Sequence, residues 1–284
     1  MNDIVFIADF FADEVPGGGE LNNEELIQIL KNRGHDVYKI KSQQASPDVL
    51  SFQGKNKKYI VANFLGLSEI SKKIIQSDYD YLIYEHDHKY VKSRNPADYE
   101  NFLAPQSEII NFDFYKNAKA VLCQSQFHAD IVKSNLHLDN IVSLGGNLWS
   151  TDSLSLMRKM SKIQKNESCA IMVTNNWHKN TNGAIKLCKS KGWDCDLIYP
   201  CSYEEFLTKL GKNEKFVFLP KTPETLCRIV VEARMMGVST ITNKLLGATK
   251  EDWYHLKGEE LIDKVMSMRE EIPNTVLSAF QRAK

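Results

Sequence analysis

Two glutamates, Glu224 and Glu232, stand eight residues apart in the segment Leu219–Gly237. A carboxylate at a helix start can accept hydrogen bonds from sugar hydroxyls, and a second one two turns on can take a ribose diol in bidentate fashion. The same spacing puts Glu224, Arg228 and Glu232 at i, i+4 and i+8, a salt-bridge ladder on one helix face. Spacing alone leaves both open. A second group is Pro16-Gly17-Gly18-Gly19-Glu20. Glycines before a helix let the backbone approach a ligand, and the helix N-terminus offers free N–H groups suited to phosphate. The segment is neither Gly-x-Gly-x-x-Gly nor a P-loop, which argues against nicotinamide binding and Walker-type nucleotide binding. A loop without a ligand is the alternative. A third group, Tyr84 to Arg94, holds His86, Asp87, His88, Lys89, Lys92 and Arg94. It reads as a sugar-facing histidine, as part of a metal site, or as a solvated charged loop.

These groups need a scaffold of parallel strands, because open parallel sheets bind ligands outside the carboxyl ends of their strands. The hydrophobic pattern predicts one. Ile4 to Ala8 is a continuous apolar run of the kind buried on both faces of a parallel sheet. Leu21 to Arg33 has helical spacing and is followed by Gly34. Further short strands are expected at Val37–Ile40, Tyr59–Ala62, Tyr81–Tyr84, Ala120–Cys123 and Ile141–Leu144. Helices are expected at Leu67–Gln76, Ser107–Tyr115 and Ser125–Ser134, the last capped by Ser125. The polar stretch Ser150–Ser168 reads as a boundary between a domain of residues 1–150 and one of residues 151–284. The pattern then restarts with strands at Cys169–Val173, Asp194–Tyr199, Phe216–Leu219 and Ser239–Thr242. Helices at Thr181–Ser190, Tyr203–Leu210 and Leu226–Met236 alternate with them. Two such series predict an α/β protein with two Rossmann-like sheets. Glu259–Arg269 and Thr275–Arg282 read as two helices with a turn at Pro273.

Composition narrows the class. The chain has 284 residues, 36 basic and 36 acidic, so no net field draws it to nucleic acid or anionic lipid. Residues 1–150 hold 15 Lys and Arg against 20 Asp and Glu, and residues 151–284 hold 21 against 16, which suits an anionic ligand in the second half. With 43% hydrophobic and 25% charged residues, disordered and fibrous classes are excluded. No apolar run reaches the ~20 residues of a membrane span, and the N-terminal stretch reads as a strand and not as a secretion signal. The six cysteines form no Cys-x-x-Cys pair, so they are expected to be reduced thiols of a cytosol-like compartment and not zinc ligands.

Taken together these pieces resemble a retaining glycosyltransferase of the GT-B architecture, family 4 type. Glu224 and Glu232, followed by Ala233 and Gly237, are similar to that family's Glu-x7-Glu motif. Gly17–Gly19 with Arg33-Gly-His-Asp-Val37 resembles its N-terminal glycine loop and turn, and Ala118–Asp130 resembles its strand–Ser–helix segment. The resemblance implies two Rossmann-like domains facing across a cleft, with the C-terminal helix crossing back to the first. Glu232 would bind the donor's ribose, Glu224 would hold the transferred sugar, and the Thr225 and Leu226 amides would face the distal phosphate. Lys179 would bind phosphate, His86, with His88 second, would reach the sugar, and Gly18 and Gly19 would lie against the donor. The family's arginine five residues before that lysine is Thr174 here, and Arg228 is expected to compensate. The family's glycine three residues after the first glutamate is Cys227.

The implied activity is transfer of a sugar from a UDP-, GDP- or ADP-sugar to an acceptor hydroxyl, with retention. No metal or cofactor is expected, the nucleotide sugar being a co-substrate. A glycan or glycolipid is the first acceptor, met on the first domain near His88, Lys89, Lys92 and Arg94. A hydroxylated (for example hydroxymethyl) base in DNA, as in phage enzymes, is the alternative, with Lys55, Lys57 and Lys58 as a second basic cluster. A nucleotide-sugar-binding protein without catalysis is a further alternative. A cytoplasmic location, in a host cell if the source is viral, is expected.

Overall fold

The structure is a computed structural model and describes residues 4–282. Its contacts divide the chain into two units, residues 1–148 with 269–284 and residues 149–268.

The first unit begins with β1 (Ile4–Ala8), α1 (Gly18–Asn32), β2 (Val37–Lys41), α2 (Pro47–Gln53), β3 (Lys58–Val61) and α3 (Glu69–Asp78). It continues with β4 (Asp80–Glu85), α4 (Phe112–Lys116), β5 (Ala120–Cys123), α5 (Gln126–Leu136) and β6 (Ile141–Ser143). The six strands form one parallel sheet in the order β2-β1-β3-β4-β5-β6. Val5 pairs with Tyr38 on one side and Tyr59 on the other. Every residue of β1 is buried, as its unbroken apolar run requires. One side of the sheet packs Val5, Ile7, Tyr59, Tyr81 and Val121 against Leu50, Ile75 and Phe114 of the crossing helices.

The second unit holds α6 (Thr151–Ser161), β7 (Asn166–Met172), α7 (Thr181–Ser190), β8 (Cys195–Ile198), α8 (Tyr203–Gly211), β9 (Asn213–Phe218), α9 (Arg228–Met235) and β10 (Ser239–Thr242). Its parallel sheet runs β10-β9-β7-β8. Cys169, Ile171 and Val217 pack there against Ala184 and Cys188 of α7. In both sheets the first strand is internal: the second strand lies on one side of it and the third on the other. The connections therefore diverge between β1 and β3, and again between β7 and β9, which opens a crevice at the carboxyl ends of each pair.

The division of the units at Leu148 and Trp149 falls just before the stretch Ser150–Ser168 read as the boundary, which itself holds a helix: Ser150 caps α6, and Leu154, Met157 and Met160 bury its one apolar face. Other sequence expectations change. Of Ser107–Tyr115 only the end is α-helical, because Asn111 takes a left-handed conformation before α4. α2, capped by Ser46 with Pro47 behind it, was not foreseen. The expected turn at Pro273 is absent, and α10 (Glu259–Ala279) runs through it. Leu261, Val265 and Met268 before Pro273 and Ile272, Val276 and Ala279 around it are all buried, and that burial offsets a proline cost of about 3 kcal/mol. α10 is shared: it belongs to the second unit up to Met268 and to the first from Arg269, a segment that the sequence boundary assigned to the second. In the first unit Arg33 binds Glu270 at 2.6 Å and Asn274 at 2.7 Å. All six cysteines are free.

Candidate functional site

Lys179 follows β7, and Glu224 follows β9, so the two flank the divergence point of the second sheet. The Lys179 ammonium donates to both Glu224 oxygens, at 2.8 and 2.9 Å. Burial by itself would pull this lysine down, but the Glu224 carboxylate holds it above the usual lysine range. The pair is not sealed off, with side chains 30% and 14% exposed. Backbone bonds hold both loops. Lys221 N donates to His178 O, Asn180 Nδ2 to Leu219 O, and Asn243 Nδ2 to Pro220 O. Glu224 forms a parallel bridge with Leu246, its N–H donating to Leu245 O at 2.7 Å and its carbonyl accepting from Gly247 N. An anion meeting this edge finds one ammonium and one carboxylate whose orientation is set by the fold.

Glu232 lies inside α9 and is 1% exposed. Its Oε1 accepts from Trp149 Nε1 at 2.8 Å and from the Tyr203 hydroxyl at 2.7 Å, while its buried Oε2 meets no donor. Arg228 stacks on the Trp149 ring at 4.3 Å and its Nε lies 3.6 Å from Glu232 Oε1. The three-membered ladder is therefore not formed. Arg228 lies beside Glu232, Glu224 pairs with Lys179, and the Arg228 guanidinium is buried against Trp149 instead of being displayed as a second phosphate cation. Helix α9 starts later than expected, at Arg228, and Cys227 before it has φ 78°, the left-handed region that glycine takes at least cost. Thr225 and Leu226 thus precede the helix, and Leu226 is fully buried with its carbonyl held by Ala248 N. Burial, then Glu224 and Glu232, push the Cys227 thiol well above the usual range against the pull of Lys179. Thr174, where the family's arginine was expected, instead accepts from Asn176 N through its hydroxyl.

In the first unit the glycine loop differs from its sequence reading. Gly18 and Gly19 form the first turn of α1, three residues before the expected start, and Gly17 is its N-cap. The Glu20 carboxylate lies where a Cβ on Gly17 would stand, so a negative charge already occupies this helix start. Burial raises the pKa of Glu20, and Asp9 and Asp87 raise it further. The phosphate expected against Gly18 and Gly19 would meet that acidic group. A Cβ on Gly19 would come within 3.4 Å of the His86 ring, so glycine here admits the histidine. His86 Nε2 donates to Asn23 Oδ1 at 2.5 Å, and Gln124 Nε2 donates to His86 Nδ1. Asn147 in turn donates to Gln124 Oε1 at 3.1 Å. These partners fit the tautomer with its proton on Nε2.

The expected basic, solvent-facing loop after β4 does not hold at Lys89 and His88. Lys89 is fully buried, and its ammonium donates to Glu85 and, at 2.7 Å, to Asp87. Burial would lower its pKa, but the two carboxylates hold it above the normal range. Burial raises the pKa of Glu85, which also accepts from Lys89 and the Tyr115 hydroxyl. His88 packs on Tyr90 and on His128, away from His86, and burial drives its pKa down to about 4. Lys92 and Arg94 are exposed but tethered, Lys92 to Ser107 O at 2.7 Å and Arg94 to Asp87 at 3.4 Å. In the other basic cluster Lys55 pairs with Asp78, and Lys57 and Lys58 lie over the Tyr38 and Phe280 rings.

Among the described residues no three His, Cys, Asp or Glu side chains converge as a metal-binding group. No helix among them is long and apolar enough to cross a membrane. The site residues that the sequence did not single out are Trp149, Tyr203, Asn23 and Gln124. Trp149 and Tyr203 are 83 and 29 positions from their partner Glu232, with no motif linking them.

No family model matches this chain, and no curated protein sequence does. Solved structures do match. Alr3699/HepE from Anabaena, in complex with UDP and glucose, superposes with TM-score 0.56 and 11% identity over 99% of this chain and 92% of that one. The catalytic domain of Starch Synthase IV from Arabidopsis thaliana, bound to ADP and acarbose, gives TM-score 0.64 and 10% identity over 99% of both chains. An alpha-glucosyltransferase in complex with UDP and a 13-mer DNA containing an HMU base gives TM-score 0.54 and 10% identity over 99% of both. At such identities the likeness is one of fold, the two-sheet GT-B fold of glycosyltransferases.

Proposed function

We propose that this protein is a glycosyltransferase that moves a sugar from a nucleotide-sugar donor to an acceptor hydroxyl. The observation that carries this reading is the convergence of Lys179 and Glu224 at the divergence point of the second sheet, in a chain with a glycosyltransferase fold. The printed complexes of the fold relatives contain UDP or ADP, which makes UDP- and ADP-sugars the first donors to try, with GDP-sugars after them.

In this reading the second unit binds the donor. As the anomeric bond breaks, negative charge grows on the leaving diphosphate. Lys179 turns from Glu224 to that charge and stabilises it in the transition state. Glu224, released from its ion pair, accepts from hydroxyls of the transferred sugar. Glu232 receives a ribose hydroxyl through Oε2. Retention places the acceptor hydroxyl on the face of the leaving phosphate, which takes its proton, so no general base from the protein is assigned and no metal is required. The first unit receives the acceptor, with His86 held by Asn23 and Gln124 as its sugar-facing group. A family 4 type of chemistry is part of the proposal.

A glycan or glycolipid hydroxyl is the favoured acceptor, since Lys89 is buried and Lys55 is paired, which leaves little of a phosphate-tracking groove. The second reading, a hydroxylated base in DNA, is supported by the fold relative solved with HMU-containing DNA, which aligns with this chain over 99% of each. The test incubates the protein with UDP-, ADP- and GDP-sugars and a panel of both acceptor types, and follows free nucleoside diphosphate and acceptor mass. The expected outcome is diphosphate release that depends on one acceptor class. Donor binding with no release on any acceptor would mark a binding protein without transferase activity and contradict the proposal.

A further inference from the structure

We infer that Trp149 and Tyr203 are positioning residues for Glu232 that make it a one-oxygen, single-hydroxyl receptor. This rests on the donor-site reading above and specifies how the site discriminates. A carboxylate has about four acceptor positions, two on each oxygen. On Glu232 both positions of Oε1 are filled, by Trp149 Nε1 at 2.8 Å and by the Tyr203 hydroxyl at 2.7 Å. Oε2 is buried and has no donor. Leaving a buried acceptor unsatisfied costs free energy, and a charged one costs more, so native structures seldom keep one without a use.

The two donors come from different elements. Trp149 precedes α6, and Tyr203 opens α8, whose N-cap is Ser202. Between them they fix the carboxylate's position and its rotation, so that Oε2 has one direction. Arg228, stacked on Trp149 with its Nε 3.6 Å from Oε1, supplies the countercharge there, and Oε2 accepts no hydrogen bond. A grip on a vicinal diol that gives each hydroxyl its own carboxylate oxygen is closed, because Oε1 is saturated. What remains is one buried acceptor atom, and an atom approached from one side admits a single hydroxyl of the donor's ribose.

The experiment titrates the full-length protein calorimetrically with UDP, GDP and ADP, then with the 2′-deoxy and 3′-deoxy analogues of the one that binds. In wild type, removal of one hydroxyl weakens binding at least tenfold and removal of the other less than threefold. In Tyr203→Phe and Trp149→Phe that discrimination collapses toward unity, while affinity for the sensitive deoxy analogue stays near wild type. A merely structural role would lower affinity for ribo- and deoxynucleotides alike, leave the ratio unchanged, and overturn the inference. Equal losses for both hydroxyls in wild type, or no loss for either, would overturn it as well, without need of a variant that folds. If wild type binds none of the three nucleoside diphosphates, the donor-site reading itself fails.

Discussion

Lys179 and Glu224 neutralise one another at 2.8 Å, and this mutual engagement sets what each substitution does. Lys179→Ala removes the cation aimed at the leaving group and leaves Glu224 as an unpaired carboxylate beside a diphosphate. We expect kcat to fall about 100- to 1000-fold, the scale of losing one preorganised electrostatic donor, in a steady-state assay with saturating acceptor. Unchanged kcat would remove Lys179 from the chemistry. The buried histidine pair makes a second prediction at this scale. Burial holds His88 at about 4 in the folded protein, from a usual value of 6.5. Between these values the unfolded chain carries the extra proton. The stability contributed by neutral His88 is therefore whole above pH 6.5 and lost as pH falls toward 4. Relative to His88→Phe, wild type should lose about 3 kcal/mol over that interval, read from urea melts at several pH values. A constant difference would show that His88 does not titrate as described. The residues proposed for donor binding come from a motif, as with Glu224 and Glu232, or from a position after a strand, as with Lys179, and the structure brings Lys179 and Glu224 together. Lys89 was misread because a lysine in a run of His, Asp and Arg has the composition of a solvated loop. Only the third dimension shows Glu85 and Asp87 converging on it.

At the scale of elements, strands were easy and boundary segments were not. Ile4–Ala8 and Ala120–Cys123 are apolar throughout because helices cover both faces of the parallel sheet, and such runs stand out in a sequence. α6 did not stand out, since its buried set is only Leu154, Met157 and Met160 among lysines and serines. Its packing can be measured. Met157→Ala should destabilise the protein by about 2–5 kcal/mol in chemical denaturation, as removal of a buried side chain does, whereas a linker methionine would cost almost nothing. α9 carries a similar lesson. The segment Leu226–Met236 reads as a helix, but the left-handed Cys227 delays its start to Arg228. Glu224 stays outside the helix, where it pairs with Lys179. The i, i+4, i+8 ladder that spacing left open gives way for this backbone reason to a loop carboxylate at Glu224, paired with Lys179, and a buried one at Glu232.

For the whole molecule, zero net charge with an acidic first half argues for an acceptor that does not depend on phosphate contacts. If DNA were the acceptor, its binding would fall steeply with salt, by about 10³-fold or more between 50 and 200 mM for six or more phosphate contacts. We expect instead no salt-dependent binding of duplex DNA in a fluorescence anisotropy titration, and a steep slope would favour the DNA reading. The two-sheet fold itself was legible from alternating strand and helix patterns, and the resemblance already implied a C-terminal helix crossing back, while the continuity of α10 was not legible, because Pro273 mimics a helix stop in one dimension. The most direct test of the central claim, that the edge of the second sheet grips a nucleoside diphosphate, is isothermal titration of the full chain with UDP, GDP and ADP, side by side with Lys179→Ala. The account predicts that one of the three binds wild type and that the variant binds it at least tenfold more weakly. Binding by none of them, or binding that is indifferent to the loss of Lys179, would contradict it.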